Sequence, residues 1–518
     1  RFDLDNDYSG LSTIPYGDRG VFYNLGSNTG LRHSFIDSNN VINGQTYYYA
    51  VVSYDHGDDS LGIAPSECSK TITLNPETNE VILDVNTKQI IPRVPTAGYV
   101  PGNINEGFIE HVSGVATGIV SIEVIDPRAI ENENMFEISF MDNPINYSVK
   151  DMKTVADELV AKLDQFVRLD YGNIDSASFS LSDVNGSNTY ELGTDYELIL
   201  QSGKIRAIPG GGLLDGVTYL AAYMYYGVAN SNLLNMEESN PVFDGLKIYA
   251  QNQNLALDET QMAWSAGSPT NWEPQVKPFN NIDTKMYPAD YEVRFFDNIA
   301  DSSARPGYGY IKAKFQVWET TAGLVPEQRK VIILELPPED SLWTPGDRAV
   351  ILQGDETSST SWEFTFLEPS VDGIDPNSGD IYYIATTRPF SEEDKYQFIT
   401  NASLINNEQA INELDNISVV PNPYVVTNVL EPLDRQNPRD RGPRRVYFNH
   451  LPKDCTIRIY TITGELVKTL VHHSSMDDGK EFWDLTTDDN FPISYGVYLF
   501  HVDAEDLGES IGRFAVIK

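Results

Sequence analysis

The chain has 518 residues, 36 basic and 76 acidic side chains, a formal net charge of −40 and an apolar fraction of 41%. A charge of that sign repels phosphate backbones and anionic lipid surfaces, which argues against nucleic acid or a membrane surface as partner. No run approaches the roughly 18 apolar residues that cross a bilayer as a helix, and the length suits three or four domains.

Val, Ile, Tyr, Phe and Thr recur in short alternating runs separated by Gly, Pro, Asn and Asp, the composition of β domains joined by turns. The two cysteines, Cys68 and Cys455, are far apart and have no neighbouring His/Cys cluster. A disulfide or zinc site is therefore not expected, and each is read as a small buried apolar residue. The acidity itself has two readings: solubility outside the cell, or acidic loops that hold Ca²⁺.

In chain order, Asp3, Asp5 and Asp7 alternate like the opening of a Ca²⁺ loop, but Gly is missing at the sixth position and Glu at the twelfth. A calcium site there competes with a solvated turn, as it does at Asp55, Asp58 and Asp59 and at Asp488 and Asp489. Asn43-Gly44 is a tight-turn signal ahead of the tyrosine-rich strand Thr46–Asp55, for which Pro65–Leu74 reads as partner. This order resembles the last strands of a fibronectin type III domain over residues 1–75, and implies that its first strands precede Arg1. Prolines around Pro92 and Pro95 mark residues 76–93 as a linker.

Residues 94–235 read as a β-sandwich, with strands at 118–125, 135–140 and 217–226. Val155, Leu159, Leu163 and Phe166 fall at helical spacing, which predicts a capping helix over Thr154–Val167. Gly210-Gly211-Gly212 lacks the Lys-Ser/Thr of a phosphate loop and reads as a turn. A further sandwich is expected over 236–400, where Lys312, Lys314 and Gln316 alternate toward water. It carries Trp264, Trp272, Trp318, Trp343 and Trp362, which pack a core or, if exposed, stack on sugar rings. Residues 401–416 form an acidic linker with one helical turn near Asn407–Leu414.

No His-Glu-x-x-His, Gly-x-Ser-x-Gly or Walker loop occurs, and the adjacent His472 and His473 would point to opposite faces of a strand. No catalytic residue is assigned, no cofactor other than a candidate Ca²⁺ is expected, and these residues are read as non-enzymatic. An enzyme domain before Arg1 is a separate alternative.

The most informative stretch is 417–518. Pro421-Asn422-Pro423 opens it; Ile457-Arg458-Ile459-Tyr460 leads to a turn at Gly464; Trp483-Asp484, Gly496-Val497-Tyr498 and a Val516-Ile517-Lys518 end follow. The alternation predicts a compact sandwich of six or seven strands. In this order the motifs resemble a type A sorting domain of the Bacteroidetes-type (type IX) secretion system, an immunoglobulin-like fold, over about 100 residues. The resemblance implies the secretion machinery as partner and a location outside the outer membrane of a Gram-negative cell. Arg435, Arg439, Arg441, Arg444 and Arg445 depart from the pattern and form the one basic cluster, a candidate contact with an acidic surface, either lipopolysaccharide or a neighbouring acidic subunit; other surface proteins or copies of the same chain are further candidate partners.

The reading as a whole is an all-β chain of tandem immunoglobulin-like and fibronectin-like sandwiches with one short helix. It would be a secreted or surface structural or adhesive protein. The alternatives are the accessory and sorting region of a larger secreted hydrolase, or a carbohydrate-binding surface protein.

Overall fold

The computed structural model describes residues 10–16, 20–26, 35–39, 41, 43, 45–75, 81–142, 144–163, 165–235, 240–279, 287–303, 310–337, 340–353, 360–425, 444–476 and 478–517. Asp3, Asp5, Asp7, Arg435, Arg439, Arg441 and Lys518 lie outside them. The fold is all-β with a single short α-helix among the described residues. Two compact units result: residues 1–103, 124–132 and 401–518 form one, and residues 104–123 with 133–400 form the other.

In the second unit an antiparallel sheet runs Thr189–Tyr190, Ser180–Asp183, Thr218–Ser231, Ile145–Val160, Asn134–Asp142, Lys395–Asn401. Strand pairing thus joins residues on either side of 235, because Lys395–Asn401 lies against Asn134–Asp142 with Phe398 opposite Phe136. The expected capping helix is absent: Thr154–Val160 is the second half of the long strand Ile145–Val160. Spacings of four and eight residues fit a strand as well as a helix, since both are multiples of two. The period-2 signal was hidden by Asp157, a buried carboxylate between Val155 and Leu159. It is satisfied by the Tyr223 hydroxyl at 2.5 Å and the Asp170 amide at 2.8 Å, which makes an inward aspartate tolerable. Its charge in turn holds the Asp170 carboxyl above the ordinary value.

The same unit holds a two-sheet sandwich. Ala263–Trp264, Ile381–Ile384, Tyr291–Phe295, Phe315–Glu319 and Glu327–Arg329 form one sheet; Glu273–Pro278, Thr360–Leu367, Arg348–Leu352 and Val331–Leu334 form the other. Alternation sends Tyr291, Val293, Phe295, Phe315 and Val317 inward against Phe364 and Phe366, while Lys312 and Lys314 face water. Trp272, Trp343 and Trp362 are core residues, and Trp264 packs against them.

In the first unit Tyr47–Ala50 pairs with Thr87–Ile90, and Ile72–Leu74 with Val81–Leu83. The stretch read as a linker therefore contributes two strands. Ser53 and Asp55 bond to the backbone of Cys68 and Ser66, so the expected partner strand touches only there. Cys68 is exposed rather than buried; its sulfur accepts from the Ser53 amide at 3.3 Å. The carboxylates of Asp55 and Asp58 close their own turns by accepting from Gly57, Ser66 and Ser60, and these bonds lower both pKa values.

Candidate functional site

The candidate site is the terminal sandwich. Its strands are Ser418–Val420 (β1), Tyr424–Val425 (β2), Val446–Asn449 (β3), Asp454–Thr461 (β4), Leu466–His473 (β5), Glu481–Trp483 (β6), Gly496–Ala504 (β7) and Gly508–Ile517 (β8), preceded by the helix Asn407–Glu413 (α1). One sheet has the order β1-β3-β6 and the other β2-β8-β7-β4-β5, with β2 and β8 parallel and the other pairs antiparallel.

The motif residues now acquire physical roles. Pro421-Asn422-Pro423, with both proline bonds cis, is where the chain leaves one sheet and enters the other. Prolines suit the crossing because no ladder amide is needed there. Asn422 pins the crossing to β8: its Oδ1 accepts from the Ala515 amide at 3.1 Å and its Nδ2 donates to the Arg513 carbonyl at 3.3 Å. Ile459 is fully buried, and Tyr460 follows it at a register shift against Leu466. Gly464 has φ +88°, the left-handed geometry that the β4–β5 turn requires. Trp483 and Tyr498 are buried and meet Phe514 in one aromatic cluster, at 6.0 and 5.7 Å between ring centres. Their polar atoms are satisfied by carbonyls, Trp483 Nε1 by Thr486 at 2.8 Å and the Tyr498 hydroxyl by Ser494 at 2.7 Å. Gly496 is the exposed start of β7. The recognisable residues therefore mostly build the fold, and a ligand could touch few of them.

Of the basic cluster, Arg444 is exposed and Arg445 half-buried. The Arg445 guanidinium lies 6.0 Å from the ring centre of Phe482, and Lys480 Nζ lies 3.6 Å from that of Tyr447, the residue opposite Phe482 in the β3–β6 register. Burial, with Arg445 and Arg93 nearby, lowers the Lys480 pKa against the opposing pull of Asp478.

One constellation was not anticipated. Cys455 stands opposite His472 in the β4–β5 register, and His472 Nδ1 lies 3.0 Å from Glu481 Oε2 on the facing sheet. A cavity of about 960 Å³ lies beside them, lined among others by Ile405, His473, Asp503 and Leu507. Cys, His and Glu in this order could in principle activate a thiolate. Burial, helped by the charges of Glu481, Asp454 and Asp503, instead pushes the thiol up to about 12, so it stays protonated. The only sequence signal was the period-2 placement of Cys455 and His472; their proximity depends on strand register. His473 points outward to Asp454, as the strand geometry predicts. Among the described residues no group of three or more His, Cys, Asp or Glu side chains could hold a metal ion.

The tryptophans do not form a sugar platform. Trp318, the remaining one of the five, is half-buried with the Arg294 guanidinium 4.8 Å from its ring centre. Among the described residues no helix is long and apolar enough to cross a membrane.

No known protein family matches the chain, and no curated protein matches it. Among solved structures it is similar to PorZ of Porphyromonas gingivalis, described as an essential bacterial surface component of the type IX secretion system. The identity is 11%, the match covers 96% of this chain and 49% of that one, and the TM-score is 0.16. Dimeric latent PorU from the same organism matches at 12% identity over 86% of this chain and 36% of that one, with a TM-score of 0.14. The chain thus spans about half the length of PorZ and less of PorU.

Proposed function

We propose that this chain is a non-enzymatic, multi-domain surface or secreted protein of a Gram-negative bacterium, exported through the type IX secretion machinery by residues 417–518. Its sandwiches would serve as a stalk, adhesin or subunit of an extracellular assembly. The observation that supports the address is the placement of motif residues from four separate stretches. Asn422, Gly464, Trp483 and Tyr498 fix the sheet crossing, the turn and the aromatic cluster of one small sandwich. A resemblance built only on strand composition would have no reason to put them there. The basic cluster Arg435, Arg439, Arg441, Arg444 and Arg445, on a chain of net charge −40, is the proposed contact for an acidic surface, either lipopolysaccharide or a neighbouring acidic subunit.

The test is localisation in a host with an intact type IX translocon and in the same host lacking it. The full chain should reach the surface or medium in the first and remain periplasmic in the second. Equal export from both strains would sink the reading.

A further inference from the structure

The terminal sandwich is completed by residues more than 300 positions upstream. Arg93–Gly98 runs extended along Leu451, Met476, Asp478 and Gly479. The Thr96 amide donates to the Met476 carbonyl at 3.2 Å, the Ala97 amide to the Leu451 carbonyl at 3.0 Å, and the Gly479 amide to the Val94 carbonyl at 2.8 Å. The Thr96 hydroxyl adds a bond to Met476, and Arg93 pairs with Asp478 at 2.7 Å. Val94, Thr96 and Ala97 are buried, and Pro95, which has no amide to donate, is exposed. At the far end the Gly98 amide donates to the Glu413 carboxylate at 2.6 Å and the Gly98 carbonyl accepts from Asn406 at 2.8 Å. Tyr99–Val100 then pairs with Leu404–Ile405.

The seat is shaped for backbone rather than side chains. A Cβ on Gly479 would lie 2.4 Å from the Pro95 carbonyl oxygen, and one on Gly98 would lie 2.5 Å from that of Asn406. Main-chain hydrogen bonds with small buried side chains between them are how a sheet-like groove holds an extended peptide.

We propose that the groove lined by Leu451, Met476, Asp478 and Gly479 is a peptide-binding surface whose resident occupant is Arg93–Gly98 of the same chain. The consequence is that residues 417–518 stay seated on the protein when the backbone ahead of them is cut. This reading is independent of the export route. A sorting signal could be seated or released, and a seated module need not be a signal.

The experiment inserts a specific protease site between the exposed Asp415 and Asn416 of the full chain. After complete cleavage in native buffer, the terminal fragment should co-elute with the rest on size exclusion and separate only in denaturant. Gly479→Val, which closes the approach to Pro95, should release it. Arg93→Glu, which sets like charges against Asp478 and leaves the groove intact, should cause a smaller loss of the retained fraction. A circular dichroism spectrum and melting curve of each variant before cleavage establish that it is folded. Separation of the unsubstituted fragments in native buffer would overturn the proposal, as would retention unchanged by Gly479→Val in a folded protein.

Discussion

The two sandwiches with the largest described cores use similar architecture and differ in how their sequences look. The terminal one announces itself through spaced motifs, whereas the one within residues 263–384 shows only alternation and a surplus of tryptophan. In the terminal sandwich the motifs mark places where the chain has no freedom: a crossing held by Asn422, a turn that needs Gly464, and an aromatic contact among Trp483, Tyr498 and Phe514. In the other, Trp272, Trp343 and Trp362 share the filling of a thick core with many Phe and Tyr side chains. Spaced motifs thus recorded packing constraints, and tryptophan abundance recorded core volume; neither marked an exposed ligand platform.

That contrast can be broken at its cores. Trp483→Ala and Trp362→Ala each remove a side chain that is almost wholly buried. Each should destabilise the sandwich that carries it by about 3–5 kcal/mol, measured by chemical denaturation with hydrogen exchange to locate the loss. A cost below about 1 kcal/mol for Trp362→Ala would show that this tryptophan is not core filling and reopen a binding role.

The crossing gives a middle-sized effect. Asn422→Ala removes both bonds to β8 and should cost about 1–2 kcal/mol, with exchange protection lost first at Ala515. Because the flanking prolines remain, an unchanged midpoint would show that they alone hold the crossing, and the asparagine would then be a recognition residue.

The smallest effect concerns Trp318, the one tryptophan of the second sandwich turned away from its core. Its ring is covered by Arg294, itself held by Glu292 at 2.6 Å. Arg294→Ala should cost about 0.5 kcal/mol and shift tryptophan emission to the red as the ring meets water. Saturable protection of that emission by an oligosaccharide, in the parent protein, would contradict the reading of this face as solvated surface.

Much of the terminal sandwich was legible because its polar and glycine residues sit where backbone geometry demands them. The same logic failed at Thr154–Val160. Val155, Leu159 and Leu163 satisfy both periodicities, and the buried Asp157 removed the one inward position that would have declared a strand. Cys68 was misjudged for a related reason: a neighbouring strand pattern predicts burial only if another layer covers that face, and in the described structure the residue is exposed.

Residue chemistry read along the chain determined the all-β class, the short helix at Asn407–Glu413, the turn at Gly464 and the alternation of the terminal strands. These follow from local sterics and from period-2 burial, which act over a few residues. Tertiary structure alone decided that Cys455 faces His472 and Glu481, that Lys395–Asn401 completes a sheet begun near residue 134, and that Arg93–Gly98 is seated in the terminal sandwich. Each depends on backbone hydrogen bonds between distant segments. Every residue but proline offers the same donor and acceptor, so no side-chain pattern specifies which segments will meet.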